Sequence, residues 1–295
     1  MFPAIVISDT HLHERMPRMR IEEAAVLMRK LKILSVKRKC ETLIILGDLY
    51  DRNTLVSIKF IMQLASFFMC FKKVILIVGN HDTPIKGYEF SLLDIFKLAG
   101  VTVVSKETVI DGCLFLPYFS KPTPAEEAYR MVFMHKDIVE LNPYADVEWG
   151  LHLDAMPNSK LLFNGHLHKN AEITKGDCRL VQVGSPYPCT WSDDYQYNRF
   201  AYIVRETGVY ERVELNITAD VTAEDAGDYS FTRERTEKRE AQNSASIGAV
   251  IEDIKQNTLR IDECLNVVSA DERVKRIIKS VVRNVDHPEL DGSKL

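Results

Sequence analysis

The chain has 295 residues, enough for one large domain or a medium domain with an appendage. Hydrophobic residues make up 46% and charged residues 27%, so a sizeable core is permitted. The net charge of -4 excludes attraction to nucleic acid through overall charge; a DNA-binding reading needs a local basic patch or bound metal ions.

In chain order, the first apolar, β-branched run is Ala4–Ile7, followed by Asp9-Thr10-His11. Apolar residues at helical spacing over Ile21–Lys39 predict a helix, and Thr42–Leu46 predicts a second strand. That strand leads into Gly47-Asp48-Leu49-Tyr50-Asp51. A helix over Leu55–Phe71 and a strand over Val74–Val78 come next, and then Gly79-Asn80-His81-Asp82. A helical pattern over Tyr88–Leu98 stops at Gly100.

The runs Val101–Val104, Cys113–Leu116 and Met131–Met134 predict three further strands, the last ending on His135. Leu161–Phe163 precedes Gly165-His166-Leu167-His168, and Leu180–Val183 follows it. Phe200–Arg205 and Val209–Leu215 read as a hairpin across Glu206-Thr207-Gly208. Alternating strands and helices in the first half predict a layered α/β domain over residues 1–215.

Residues 216–245 are polar with few apolar anchors and read as a linker. Residues 246–295 read as a helical appendage. One apolar stripe there holds Val250, Ile251, Ile254 and Leu259, and a second runs from Val274 to Val285. Ser269 and Glu272 have capping-box spacing at the start of the second helix.

Six cysteines are scattered without a Cys-x-x-Cys pair, which predicts buried free thiols rather than disulfides or a zinc site. The N-terminus carries no pattern of a secretory signal. The most apolar stretch, Leu55–Phe71, is interrupted by Lys59 and Gln63 and is too short to span a bilayer comfortably. The expectation is a cytoplasmic protein with no membrane contact.

Five polar motifs thus stand where strands end, and in α/β sheets ligands bind beyond the carboxyl ends of strands. Carboxylate oxygen together with imidazole nitrogen favours Mn²⁺, Fe²⁺ or Zn²⁺ over Mg²⁺ or Ca²⁺. In an extended segment Asp9 and His11 point the same way, as do His166 and His168. Two ions need a bridging oxygen ligand, and Asp48 is the natural candidate. The glycines at 47, 79 and 165 allow sharp turns and close backbone approach. Each motif alone is common, and a lone histidine after a strand is more often a satisfied core residue than a ligand; it is the set of five, in order, that carries the signal.

The set resembles the signature of the calcineurin-like metallophosphoesterase superfamily: Asp-x-His, Gly-Asp-x-x-Asp, Gly-Asn-His-Asp/Glu, His and Gly-His-x-His. The resemblance covers residues 4 to about 170. It implies a four-layer α/β/β/α sandwich with two divalent metal ions, Mn²⁺ in first place. One ion would be held by Asp9, His11, Asp48 and His168, the other by Asp48, Asn80, His135 and His166. His81 would face the substrate phosphate with Asp82 behind it, and Asp51 would help to orient that phosphate.

Within the superfamily the chain is most similar to SbcD-type DNA-end-processing nuclease subunits. These include the small recombination-endonuclease subunits of large tailed phages. That resemblance rests on Asp82 closing its motif, on Val103–Lys106 and Asp111–Pro117, and on the run Leu180-Val181-Gln182-Val183-Gly184-Ser185-Pro186-Tyr187. It implies a DNA nuclease pairing with an SbcC-like ATPase of the structural-maintenance type, and a homodimer. Three positions depart from the patterns. His13 stands where the family often has Gly, Asp51 where some members have His, and Asn53 where the serine/threonine phosphatases have Gly.

Further readings stay open. His13 and Arg52 are candidates for DNA or phosphate contact, against a solvent-facing ring and a salt bridge respectively. Trp191, Tyr195 and Tyr197 either stack on bases or pack their loop; His152 and His287 read as surface residues. A nucleotide phosphodiesterase or phosphoprotein phosphatase would keep the same chemistry. A non-catalytic scaffold would be expected to have lost ligands, and none is lost.

Overall fold

The continuous apolar runs pair into two six-stranded sheets. A computed structural model describes residues 1–12, 18–51, 58–83, 91–123, 128–142, 145, 148–189 and 198–217. The elements in order are β1 (Ala4–Ile7), α1 (Arg18–Arg38), β2 (Thr42–Ile45), α2 (Ile58–Phe68), β3 (Lys73–Ile77), a 3₁₀ helix (Leu92–Ala99) and β4 (Thr102–Val104). There follow β5 (Thr108–Ile110), β6 (Cys113–Leu116), β7 (Val132–Met134), a 3₁₀ turn (Leu153–Ala155) and β8 (Leu161–Asn164). The last four are β9 (Ala171–Lys175), β10 (Cys178–Gln182), β11 (Phe200–Val204) and β12 (Tyr210–Glu214).

The first sheet runs β12-β11-β1-β2-β3-β4 and the second β5-β6-β7-β8-β10-β9. In each, four neighbouring strands are parallel and the remaining strands are antiparallel. Parallel strands are covered on both faces, which is why their sequences lack polar alternation. In β1, Ala4 and Val6 face the other sheet while Ile5 and Ile7 face the helices.

Between the sheets lie Ile44, Ile75 and Ile77 from one side and Phe115, Phe133 and Phe163 from the other. The outer face of the first sheet is covered by Ala24, Leu27, Leu31 and Leu34 of α1 and by Phe60, Leu64 and Phe68 of α2. Those spacings of three and four residues put each set on one helical face. The outer face of the second sheet packs against Ile138 and Leu151, beside the short 3₁₀ turn.

Two strands escaped the sequence reading. β5 and β9 are the two edges of the second sheet and bury little, so neither has a buried apolar run. The pattern over Tyr88–Leu98 resolves into the 3₁₀ helix. Its start is set by a capping box in which the Ser91 hydroxyl accepts from Leu93 N and Asp94 accepts from Ser91 N. Its buried side chains Leu93 and Phe96 are three apart, the 3₁₀ repeat, and it ends at left-handed Gly100 as predicted.

The five described cysteines are free thiols, as expected, but only Cys40 and Cys113 are buried and Cys70 is exposed. Among the described residues no helix is long and apolar enough to cross a membrane. The expected linker from 218 onward and the helices expected at 246–258 and 270–284 lie outside the described residues.

Candidate metal centre

The parallel pairing of β1 with β2 continues past the strand ends. Asp9 N donates to Gly47 O at 3.1 Å, His11 N to Asp48 O at 2.9 Å and Leu12 N to Leu49 O at 2.7 Å. Thr10 Oγ1 donates to Leu49 O from the same turn at 3.0 Å. The two motif loops are thereby fixed in register. Their backbone is not extended: Asp9, His11 and Asp48 have φ of 50°, 41° and 49°, and His166 has 77°. The expected same-side projection of two extended residues is therefore replaced by left-handed turns. Such turns favour Asp and His among residues with a side chain, and cluster at functional sites.

The turns bring the candidate ligands together in two groups with Asp48 between them. Asp9, His11 and His168 offer ligand atoms within 4.8 Å of one another, and so do Asp48, His135 and His166. One oxygen of Asp48, Oδ2, lies 3.7 Å from His11 Nε2 and 3.3 Å from His135 Nε2, so it stands between the groups. Its Oδ1 accepts from His81 N at 2.9 Å. Asn80 Oδ1 joins the second group, 3.2 Å from His135 Nε2 and 3.0 Å from His166 Nδ1. His81 also lies within reach of His11 and Asp48, so proximity alone does not separate it from the ligands.

The histidines are oriented by acceptors behind them. His135 Nδ1 lies 2.5 Å from Leu46 O; a carbonyl only accepts, so Nδ1 carries a proton and Nε2 is left for a metal. His166 Nε2 faces Asp137 Oδ1 at 3.1 Å, leaving Nδ1 for a metal. His11 Nδ1 faces Asp51 Oδ1 at 3.6 Å, and its Nε2 meets His168 Nε2 at 3.0 Å. Ring nitrogens so close must share a proton or a cation. An outer carboxylate or carbonyl, as on His11, His135 and His166, is the arrangement that metal-ligating histidines need.

The electrostatics agree with that donor set. Burial works to raise the Asp48 pKa, but His135, then His11 and His81, hold the carboxyl well below the usual range. Burial likewise opposes ionisation of Asp51 and is outweighed by His11 and His81. Burial disfavours charge on His135, yet Asp48 pushes that ring up to about 9. His81 is also raised, against its burial, by Asp51 and Asp48. The carboxylates draw positive charge onto the rings, and divalent ions between the same atoms would supply that charge directly.

Asp82 is fully buried, with Oδ1 accepting from Tyr50 N at 3.1 Å and Oδ2 from Gly79 N at 2.9 Å. Burial and the Asp48 charge push its pKa up to about 7, against those two donors. Asp82 therefore positions the loops after β2 and β3. Asp51 is partly exposed and touches both His11 and His81, which suits a residue that orients the two rings.

Several contributors were not singled out in the sequence. Asp137 accepts from His166, from Asn142 Nδ2 at 2.7 Å and from the Tyr118 hydroxyl at 3.3 Å. Asn164 bonds both backbone groups of Lys136, at 2.9 Å each, and donates to Gln182 Oε1 at 2.7 Å. Gln182 Nε2 donates to Gly165 O at 2.7 Å and Leu167 O at 2.9 Å, which clamps the loop carrying His166 and His168. The available signals were a carboxylate two residues after His135 and a glutamine inside an apolar run.

The loop after β10 does similar work. Ser185 N donates to His168 O at 3.0 Å, and the Tyr187 hydroxyl donates to Thr10 O. Arg52, His13, Trp191, Tyr195, Tyr197 and His287 lie outside the described residues. His152 is exposed, 3.3 Å from Glu140, and away from both ligand groups.

Over residues 2–205 the chain matches the family described as calcineurin-like phosphoesterase. Among curated proteins it is similar to the double-strand break repair protein MRE11 of Encephalitozoon cuniculi (strain GB-M1), 28% identical over 173 residues. That alignment takes in 48% of this chain and spans 30% of the length of the relative. Two solved structures are more distant. A novel archaeal phosphodiesterase is 16% identical, with a TM-score of 0.41, covering 72% of this chain and 98% of that one. The nuclease MPE of Pseudomonas putida is 18% identical, with a TM-score of 0.36, covering 72% and 88%.

Proposed function

Because the chain belongs to the calcineurin-like phosphoesterase family, and is thereby a metal-dependent phosphoesterase, we propose that it is a two-metal DNA nuclease hydrolysing phosphodiester bonds. The observation that carries the chemistry is the single Asp48 oxygen standing between two groups of ligands. Asp9, His11, Asp48 and His168 would hold one ion; Asp48, Asn80, His135 and His166 would hold the other. When bound, two divalent ions supply Lewis acidity for the phosphoryl oxygens and make water a nucleophile near neutral pH. The carboxylate–imidazole donor set suits Mn²⁺, Fe²⁺ or Zn²⁺, and we take Mn²⁺ first.

The chain's own residues then divide the work. The Asp51 and Asp48 carboxylates raise the affinity of the His81 ring for a proton, against its burial. A protonated His81 would donate to a non-bridging oxygen or protonate the leaving oxygen. Leu46 O, Asp137 and Asp51 hold the ligand rings in place before substrate arrives, which removes reorganisation from the reaction.

DNA as substrate is supported by the similarity to a double-strand break repair protein over 173 residues. The SbcD-like run that ends in Gly184-Ser185-Pro186-Tyr187 supports pairing with an SbcC-like ATPase in a recombination and repair complex. A panel tests this. Purified protein with Mn²⁺ is given linear DNA, a nucleotide diester and a phosphoprotein. DNA should be cleaved, and Asp48→Asn should abolish that cleavage. Intact DNA beside a hydrolysed phosphoprotein overturns the nuclease reading and leaves the phosphoesterase standing.

A further inference from the structure

A file of aromatic rings leads away from the second ligand group. The Tyr118 ring lies 5.1 Å from that of His166, centroid to centroid. Phe119 meets Tyr118 at 4.9 Å, and Trp149 meets Phe119 edge to face at 5.5 Å and 89°. Lys121 Nζ stands 5.9 Å from the centre of the Trp149 ring. Tyr118 is buried, Phe119 and Trp149 are half-buried, and Lys121 is exposed.

This file is held firmly. Tyr118 N donates to Val78 O, just beyond β3, at 3.1 Å, and the Tyr118 hydroxyl donates to Asp137. The buried Lys136 Nζ, whose pKa burial pushes down to about 7, donates to the carbonyls of Tyr118 and Ser120. A buried lysine thus fixes the backbone of a turn that carries no metal ligand. Packing alone does not call for that, since rings recruited only for packing gain most by being fully covered. Here two large rings keep part of their surface in solvent, two and three ring steps from a ligand histidine, with Lys121 alongside.

We propose that Phe119 and Trp149 form a stacking ledge for the nucleobase adjoining the scissile phosphodiester, with Lys121 meeting a neighbouring phosphate. The proposal rests on the nuclease reading and adds to it a requirement for a base freed from its own stack. Aromatic faces accept any base, because every base has a π-face, so the ledge confers little sequence preference. The lysine supplies the local positive charge that a chain of net charge -4 lacks overall. Rigid rings add contact area while losing few torsional freedoms on binding.

The test uses an oligonucleotide with one natural phosphodiester among hydrolysis-resistant boranophosphate linkages, which keep the negative charge. It is compared with the same strand carrying an abasic tetrahydrofuran residue on one side or the other of that bond. With Mn²⁺, wild-type kcat/KM should be about tenfold or more higher with both bases present than with the abasic residue on the ledge side. Trp149→Ala should collapse that ratio towards one, chiefly through KM. Phe119→Leu, which keeps apolar bulk and removes the ring, should do the same. A Mn²⁺-induced rise in Tm shows that each variant is folded. Equal wild-type cleavage of base-bearing and abasic strands overturns the ledge and leaves the nuclease reading intact. A ratio that survives in both variants also overturns it. Cleavage of no strand by the wild type overturns the nuclease reading, and the ledge with it.

Discussion

Asp137 and His81 both border the ligand groups, but their surroundings assign them different work. Asp137 is buried and meets the nitrogen of His166 that faces away from Asn80. It reaches the ligand group through that ring. Asp137→Ala should weaken binding of one metal ion by about 10–100-fold, the usual cost of losing an outer partner of a ligating histidine. The other ion should bind as before, and calorimetric titration with Mn²⁺ separates the two. His81 is partly exposed and its ring leans on Asp51. His81→Ala should retain both ions while losing roughly 10²–10⁴-fold in kcat, as expected of a positioned proton donor. Loss of an ion from that variant would make His81 a ligand, which its distance from His11 and Asp48 allows.

At the scale of the element, the loops after β2 and β3 close on each other through a glycine. A Cβ on Gly79 would overlap both the Asp48 carboxylate and the Asp48 backbone N. Gly100, at the end of the 3₁₀ helix, has open space around it but a φ of 78°. Gly79→Ala should therefore impair metal binding and cost about 1–3 kcal/mol through overpacking. Gly100→Ala should cost about 1–2 kcal/mol from the left-handed backbone alone and leave metal binding unchanged. Chemical denaturation and Mn²⁺ titration of both variants check the contrast.

The same loops show what was legible in the sequence. Strand ends were readable because β1, β2 and β3 are buried on both faces and appear as unbroken apolar runs, so polar motifs stand out where they stop. The left-handed turns at Asp9, His11, Asp48 and His166 were not readable. They are imposed by hydrogen bonds from loops tens of residues away, such as His166 N to the Asp9 carboxylate at 3.0 and 3.1 Å. Asp137 and Gln182 stayed hidden for the same reason, since each earns its role from a partner distant in the chain. That both oxygens of Asp82 accept from backbone donors, one of them 32 residues away, was not readable either.

For the whole molecule, the candidate site and both sheets lie, among the described residues, before the end of β12 at Glu214. The chain beyond is tied down at once: Leu215 N donates to Arg199 O at 2.8 Å, and Lys30 Nζ donates to Leu215 O and Asn216 O. Hydrolysis therefore should not depend on residues 218–295. Residues 246–285 carry two apolar stripes at helical spacing in the sequence, Val250 to Leu259 and Val274 to Val285. We propose that residues 246–285 engage an SbcC-like ATPase through those stripes. Truncation at about residue 240 should keep Mn²⁺-dependent hydrolysis of a small diester and lose capture of the ATPase. An insoluble truncated protein would mean that the stripes cover this chain's own surface. A truncated protein that still captures the ATPase would place the docking surface within about the first 240 residues, where α2 exposes Ile58 and Met62.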